Sequence, residues 1–184
     1  EKEPPLKENI TQLEANLIKE KTQVSAEDYR GIKDSTLLFY GCRTELDEDE
    51  NVKARYYPIT TGSNLSGYKI RNHPKTFHSI GNVGNGCDLY GAFRFQSGGK
   101  YILITGGEED THAAYQMFKE YSESKKSDFV TSVVSVTTGE GSATKQIAAN
   151  YDFLNKFDHI IIGFDNDQAG KDGADKIISS LPKG

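Results

Sequence analysis

Acidic side chains follow two apolar segments in the last third of the chain. Glu108, Glu109 and Asp110 come after YILIT and two glycines, and Asp165 and Asp167 come directly after HIIIGF. Neighbouring carboxylates repel one another unless a cation lies between them, and Mg²⁺ prefers such oxygen ligands. For Glu109 alone, stabilisation of a helix N-terminus explains the charge without a metal. We therefore predict that the Asp165/Asp167 pair binds a divalent metal ion.

Basic side chains are concentrated in the middle of the chain. Residues 1–50 carry 7 basic and 13 acidic side chains, residues 51–100 carry 7 and 1, and residues 101–184 carry 8 and 13. Lys69 and Arg71 fall two apart in a segment of strand type, so both side chains point to one face. Cations interleaved with aromatic rings are typical of surfaces that hold phosphates and stack on bases, although such rings also fill cores. The rings are Tyr56, Tyr57, Tyr68 and Phe77. The middle third is therefore predicted to bind a polyanion.

The last third supplies the elements that position the carboxylates. YILIT (101–105), VTSVVSV (130–136) and HIIIGF (159–164) read as buried strands, and a helical pattern of apolar residues follows each. This alternation predicts an α/β fold with a parallel sheet covered by helices on both faces. Ligands of such sheets bind beyond the carboxyl ends of the strands. The loop TTGEGS, with Gly139 and Ser142, is a predicted phosphate-binding loop there.

Composition excludes several classes of protein. The chain of 184 residues has 35% hydrophobic and 27% charged residues, enough for one core or two small ones. It has no apolar run of about 18 residues and no basic-then-apolar start, so we expect neither a membrane span nor export. Its two cysteines, Cys42 and Cys87, are far apart and lack spaced histidines, which excludes a structural zinc site in this chain. Two reduced thiols in a cytoplasmic protein are the expectation, with one disulfide as the alternative.

These motifs resemble a known family. ILITGGEED, followed about fifty residues later by IIIGFDNDQAG, is similar to the Toprim domain of DnaG-type primases, topoisomerases and some nucleases. SVTTGEGSATKQIAANYDFLNKFDHIIIGFDNDQAG resembles the primase half of bacteriophage primase-helicases, which are relatives of the mitochondrial helicase Twinkle. GYKIRNHPKTFHSIG and CDLYGAF fit the basic N-terminal subdomain of the same primases. The likeness covers roughly residues 25–184.

The resemblance implies synthesis of short RNA primers on single-stranded DNA from ribonucleoside triphosphates, with Mg²⁺ or alternatively Mn²⁺. It also implies two partner modules in the full-length protein, a zinc-binding module and a hexameric helicase. The resemblance and the residue patterns together assign Glu108, Asp165 and Asp167 to catalysis, and these three with Asp110 to the metal. Lys69 and Lys75, with Arg71, Gly139 and Ser142 from the patterns alone, are assigned to nucleic acid or nucleotide.

One position departs from the family pattern. The glutamate expected at the end of the first parallel strand falls at Gly106, which has no side chain to bind a metal or take a proton. Either Glu108 replaces it from the next turn, or the domain is weakened and acts as a single-stranded DNA-binding module of a replicative helicase. The expected organisation is a linker and helix (1–24), a basic template-binding subdomain (25–100) and a Toprim subdomain (101–184) truncated at its C-terminus.

Overall fold

Two β-sheets of different type make up the framework of the protein. The computed structural model describes residues 8–27, 29–139 and 143–180. The first sheet is antiparallel and has four strands in chain order, and the second is parallel and has three strands. The antiparallel strands are β1 (Arg43–Leu46), β2 (Val52–Thr61), β3 (Asn64–Asn72) and β4 (Thr76–Gly81).

Short helical elements precede the antiparallel sheet. The first helix, α1 (Gln12–Lys21), begins at Thr11, whose hydroxyl accepts from the backbone N–H of Glu14 while the Glu14 carboxylate accepts from Thr11. This reciprocal pair satisfies two N–H groups that a helix start leaves free. The helix inserts Ile18 into a core with Tyr56, Tyr68 and Ile70 on one face of the sheet. A 3₁₀ turn (Tyr29–Gly31) and helix α2 (Asp34–Tyr40) follow.

Strands and helices alternate through the last third of the chain. The elements are β5 (Gly99–Thr105), α3 (Glu108–Ser124), β6 (Ser132–Ser135), α4 (Ala143–Ala149), α5 (Tyr151–Leu154), β7 (Phe157–Gly163) and α6 (Gln168–Ser180). Strand β5 lies in the centre and pairs in parallel with β6 and β7. The predicted α/β class, with a parallel sheet flanked by helices and preceded by a small basic β-sheet with short helices, is confirmed.

A shared aromatic core holds the two sheets together. Tyr57 of β2, Val133 of β6 and Tyr115 of α3 belong to one buried cluster. The hydroxyl of Tyr40 donates to the carbonyl of Val133 at 2.8 Å, so α2 is tied directly to the parallel sheet. Because a buried hydroxyl without a partner is unfavourable, this bond favours the one arrangement of α2 and β6 that satisfies it. The hydroxyl of Tyr57 also donates to Glu109, which holds the second face of the antiparallel sheet against the beginning of α3.

The predicted helices lie on both faces of the parallel sheet, but they do not cover every strand equally. Helices α4 and α6 pack together on one side, and Ile102, Ile104 and Ile177 are buried there. On the other side α3 covers β5 and β6, but Ile161 of β7 is 45% exposed. Periodicity alone does not show how far a helix reaches across a sheet, which explains the difference. No helix in the described part of the chain is long and apolar enough to cross a membrane.

Candidate functional site

A cleft of about 510 Å³ lies between the antiparallel sheet and the carboxyl ends of the parallel strands. One wall is basic and the opposite wall is acidic. The charged residues that line it are Arg30, Lys69, Arg71, Lys75, Glu108, Glu109, Asp110 and Asp165. Residues 137–139, which follow β6, close one end. The cleft therefore brings together the two groups that the sequence separates by some forty to a hundred residues.

Strand register places the basic side chains on the face that looks into the cleft. Tyr57 lies opposite Lys69, and Arg71 lies opposite Phe77, so the members of each pair share one face. Arg71 is only 9% exposed, and its Nε atom has no hydrogen-bond partner among the described residues. A buried N–H donor without an acceptor is costly. The basic wall is thus suited to receive a negatively charged ligand.

The acidic wall begins with Glu108, the first residue of α3. Nζ of Lys69 lies 2.8 Å and 3.0 Å from its two carboxylate oxygens, so an ion pair joins the two walls. Burial raises the pKa of Glu108, and the Lys69 ammonium opposes that rise. Glu108, which is predicted to replace the carboxylate missing at Gly106, therefore has both oxygens bound by Lys69. Lys69 is itself predicted to bind nucleic acid.

Asp110 and Asp165 form the second acidic group. Burial raises the pKa of Asp110, the charge of Asp165 raises it further, and Arg30 and Arg71 oppose both effects. Two carboxylates that repel each other in a cleft suit a cation. The described residues contain no group of three His, Cys, Asp or Glu side chains able to hold a metal. Magnesium commonly takes one or two carboxylates together with substrate phosphates, so this pair fits the ion.

Asp167 has a different position from Asp165. Its Oδ1 atom accepts the backbone N–H of Gly170 at 2.8 Å, which caps the start of α6. Asp167 is not among the cleft-lining residues, whereas Lys75 and Gly139 are. Gly170 is packed so closely that a methyl group there would overlap the carbonyl oxygen of Asp165. Ser142, the other residue predicted for phosphate binding, lies outside the described residues.

Sequence reasoning missed two contributors to the cleft. Arg30 lines it from the 3₁₀ turn, with φ of 58° in the left-handed region. Glu109, interpreted from the sequence as a helix-stabilising charge, is buried in the cleft and accepts the hydroxyl of Tyr57. Arg30 stands in no motif, and Glu109 stands in ILITGGEED but is assigned there to the helix; both reach the cleft through tertiary packing. Of the four aromatic residues interleaved with the cations, only Phe77 is exposed.

Comparison with known proteins gives a consistent result. No family model matches the chain. The chain is 30% identical over 155 residues to a DNA helicase/primase of Enterobacteria phage T3. The matched residues make up 84% of this chain and 25% of that protein. The chain therefore spans about a quarter of the length of this curated relative.

Two solved structures share the fold. The crystal structure of the primase fragment of the bacteriophage T7 primase-helicase has a TM-score of 0.75 and 27% identity, and the match covers 100% of this chain and 70% of that one. The second contains bacteriophage T7 lagging-strand DNA polymerase interacting with the primase domains of two gp4 subunits bound to an RNA/DNA hybrid and dTTP. Its TM-score is 0.73 at 27% identity, over 96% of this chain and 82% of the matched chain. The chain is therefore similar in sequence to a phage helicase/primase and in fold to the primase domain of a bacteriophage primase-helicase.

Proposed function

We propose that the chain is the RNA polymerase domain of a phage-type DNA primase, which makes short RNA primers on single-stranded DNA. The observation that carries this proposal is the cleft, where Lys69, Arg71 and Lys75 face Asp110 and Asp165 at the carboxyl ends of parallel strands. The charges on its two walls suit a polyanion and a cation that binds with it. The relatives of T3 and T7 support the same reading, since they are a helicase/primase and primase domains.

Nucleotidyl transfer joins a ribose 3′ hydroxyl to the α-phosphorus of a nucleoside triphosphate and expels pyrophosphate. In the proposed division of labour, residues 25–100 hold the template and residues 101–184 hold the metal and the nucleotide. Lys69, Arg71 and Lys75 bind phosphate oxygens, and Gly139 and Ser142 are further proposed nucleotide-binding residues. Glu108, Asp165 and Asp167 are the proposed catalytic carboxylates.

Asp110, Asp165, Asp167 and Glu108 are proposed to hold Mg²⁺, or Mn²⁺ in its place. When bound, the ion would neutralise charge on the triphosphate and favour ionisation of the attacking hydroxyl. The Asp110/Asp165 pair is the part of this set that the cleft already brings together. Glu108 would have to exchange Lys69 for the ion, and Asp167 would have to turn from the start of α6.

A second function has specific support. Gly106 offers no carboxylate, and Glu108 is neutralised by Lys69, so the acidic wall is weaker than a catalytic site demands. On this alternative, the domain is a catalytically weakened module that binds single-stranded DNA for a replicative helicase. Such binding would depend on the basic wall and fall steeply with salt.

The test is incorporation of labelled ribonucleotides on mixed-sequence single-stranded DNA with Mg²⁺ or Mn²⁺. Asp165→Asn and Asp167→Asn are each expected to lower synthesis by roughly a hundredfold or more, the cost typical of removing charge stabilisation at phosphoryl transfer. Asp158→Asn is the matched control, because Asp158 lies exposed at the amino end of β7, the strand that Asp165 follows. Gly106→Glu tests the departure from the family pattern.

The outcomes separate the two functions. Synthesis by the starting chain shows that no carboxylate is needed at position 106, and synthesis only by Gly106→Glu shows a primase scaffold disabled at one residue. Silence from every variant contradicts the enzyme. The binding module then requires salt-sensitive DNA affinity that survives both aspartate changes and falls in Lys69→Ala and Lys75→Ala.

A further inference from the structure

Phe77 is an exposed aromatic ring in the wall of the cleft. It is 50% exposed, whereas Tyr56, Tyr57 and Tyr68 are buried in the two cores that flank the antiparallel sheet. A single exposed apolar side chain is ordinary on a protein surface, so exposure alone does not mark a site. Its surroundings do distinguish it, because Phe77 lines the same cleft as the charged residues of both walls.

Two cations lie beside the ring. The Nζ atom of Lys69 is 5.4 Å from the ring centroid, and the guanidinium carbon of Arg71 is 5.9 Å from it. Arg71 is only 9% exposed, and its Nε atom has no hydrogen-bond partner among the described residues. Burying such a donor without an anion is unfavourable. The site therefore combines an accessible π-surface with a buried cation that still has an unpartnered N–H donor.

We propose that Phe77 stacks on the base of the incoming ribonucleoside triphosphate while Arg71 binds its phosphates. Phe77 and Arg71 are direct register partners on adjacent strands, so one nucleotide can contact both. Stacking makes no hydrogen-bond demand and so tolerates different bases. This assignment rests on the proposed function.

The choice of nucleotide rather than template follows from Lys69. That residue lies beside Phe77 and also contacts Glu108 at the beginning of the acidic wall. A base on Phe77 therefore leaves its phosphates close to the carboxylates that suit a metal ion. A triphosphate can share a Mg²⁺ ion with those carboxylates, which offsets the repulsion, whereas the phosphodiester backbone of a template brings no such ion.

The chain has no tryptophan, which gives a direct test of stacking. Phe77→Trp introduces a single tryptophan at the proposed platform. Phe129→Trp is the matched control, because Phe129 is 52% exposed and contacts Tyr101 instead of lining the cleft. Each variant is titrated with a ribonucleoside triphosphate, with inorganic tripolyphosphate and with a single-stranded oligodeoxynucleotide, all with Mg²⁺.

We expect the triphosphate to quench the Phe77→Trp signal saturably, while tripolyphosphate quenches neither variant. In calorimetry, Phe77→Ala should weaken nucleotide binding by about fivefold to a hundredfold, the range of base–aromatic stacking, and leave tripolyphosphate affinity unchanged. Equal quenching in Phe129→Trp, a response to the oligodeoxynucleotide alone, no nucleotide binding by the starting chain, or unchanged affinity in Phe77→Ala overturns the proposal. Primer synthesis by the starting chain together with unchanged nucleotide affinity in Phe77→Ala overturns the stacking and leaves the proposed function intact.

Discussion

Lys69 and Glu108 connect the two walls of the cleft at the scale of single residues. Their side chains are 18% and 4% exposed, so the pair is shielded from water and salt. Each residue is also proposed to bind part of the substrate complex. Metal and phosphate must therefore compete with this internal ion pair, which couples the two binding events.

The first prediction at this scale concerns Glu108→Gln. Removing the carboxylate releases the Lys69 ammonium and makes the cleft more positive by one charge. Tripolyphosphate affinity without Mg²⁺ should rise by about fivefold, the effect of roughly 1 kcal/mol. The measurement is calorimetry at low salt. Asp158→Asn removes the same charge outside the cleft and should leave affinity unchanged; equal gains in both variants would contradict a local role for the ion pair.

At the scale of elements, the position of α6 sets the position of Asp165. The helix begins after Asp167, and Gly170 in its first turn packs against the backbone of Asp165. Only a residue without a Cβ allows this approach. The close packing of Gly170 in α6 thus fixes the backbone of Asp165, which places that residue in the cleft.

The second prediction has an unusual sign. Gly→Ala inside a helix ordinarily stabilises a protein by about 0.5–1 kcal/mol. Gly170→Ala should instead destabilise by about 1–3 kcal/mol, because the new methyl group overlaps the Asp165 carbonyl. Gly86→Ala is the control, since a Cβ there meets nothing within 4 Å. Urea unfolding measures both, and a stabilised Gly170→Ala variant would show that the contact is unimportant.

At the scale of the whole molecule, a buried polar group lies in the core that joins the two sheets. His112 of α3 is fully buried, and its Nε2 is 2.8 Å from the hydroxyl of Tyr90. The rings of Tyr40 and Tyr57 lie beside it, and Glu109 and Arg55 act on it electrostatically. Burial lowers the pKa of His112 to about 4, with Glu109 opposing that effect.

The third prediction follows from this shift. Unfolding lets His112 take a proton that the folded core excludes, so stability is lost as pH falls from about 6.5 towards 4. When the pH is lowered from 7.5 to 5, His112 should reduce the free energy of unfolding by about 2 kcal/mol. The His112→Gln variant keeps a hydrogen-bonding group for Tyr90. Its free energy of unfolding should fall by about 2 kcal/mol less than that of the starting chain over the same pH range. Parallel stability curves for the two proteins, measured by urea unfolding, would refute the assignment.

Local patterns in the sequence determined the α/β class and the edge of the sheet where the chemistry lies. Strand and helix periods are set by near neighbours, so YILIT, VTSVVSV and HIIIGF could be read as strands from their residues alone. The carboxylates after β5 and β7 were placed at one edge because parallel strands end on the same side. The two faces of β3 were equally readable, since Lys69 and Arg71 alternate with apolar residues.

Only the tertiary structure decided which of these residues meet. Asp165 lines the cleft while Asp167, two residues away, caps α6, and Glu108 is neutralised by Lys69 from the other sheet. Packing also buried three aromatic rings and left Phe77 in the cleft. These outcomes depend on contacts between residues far apart in the chain and on the angle between two sheets. No periodicity within one segment encodes them, because local pattern fixes the face of an element but not its partner.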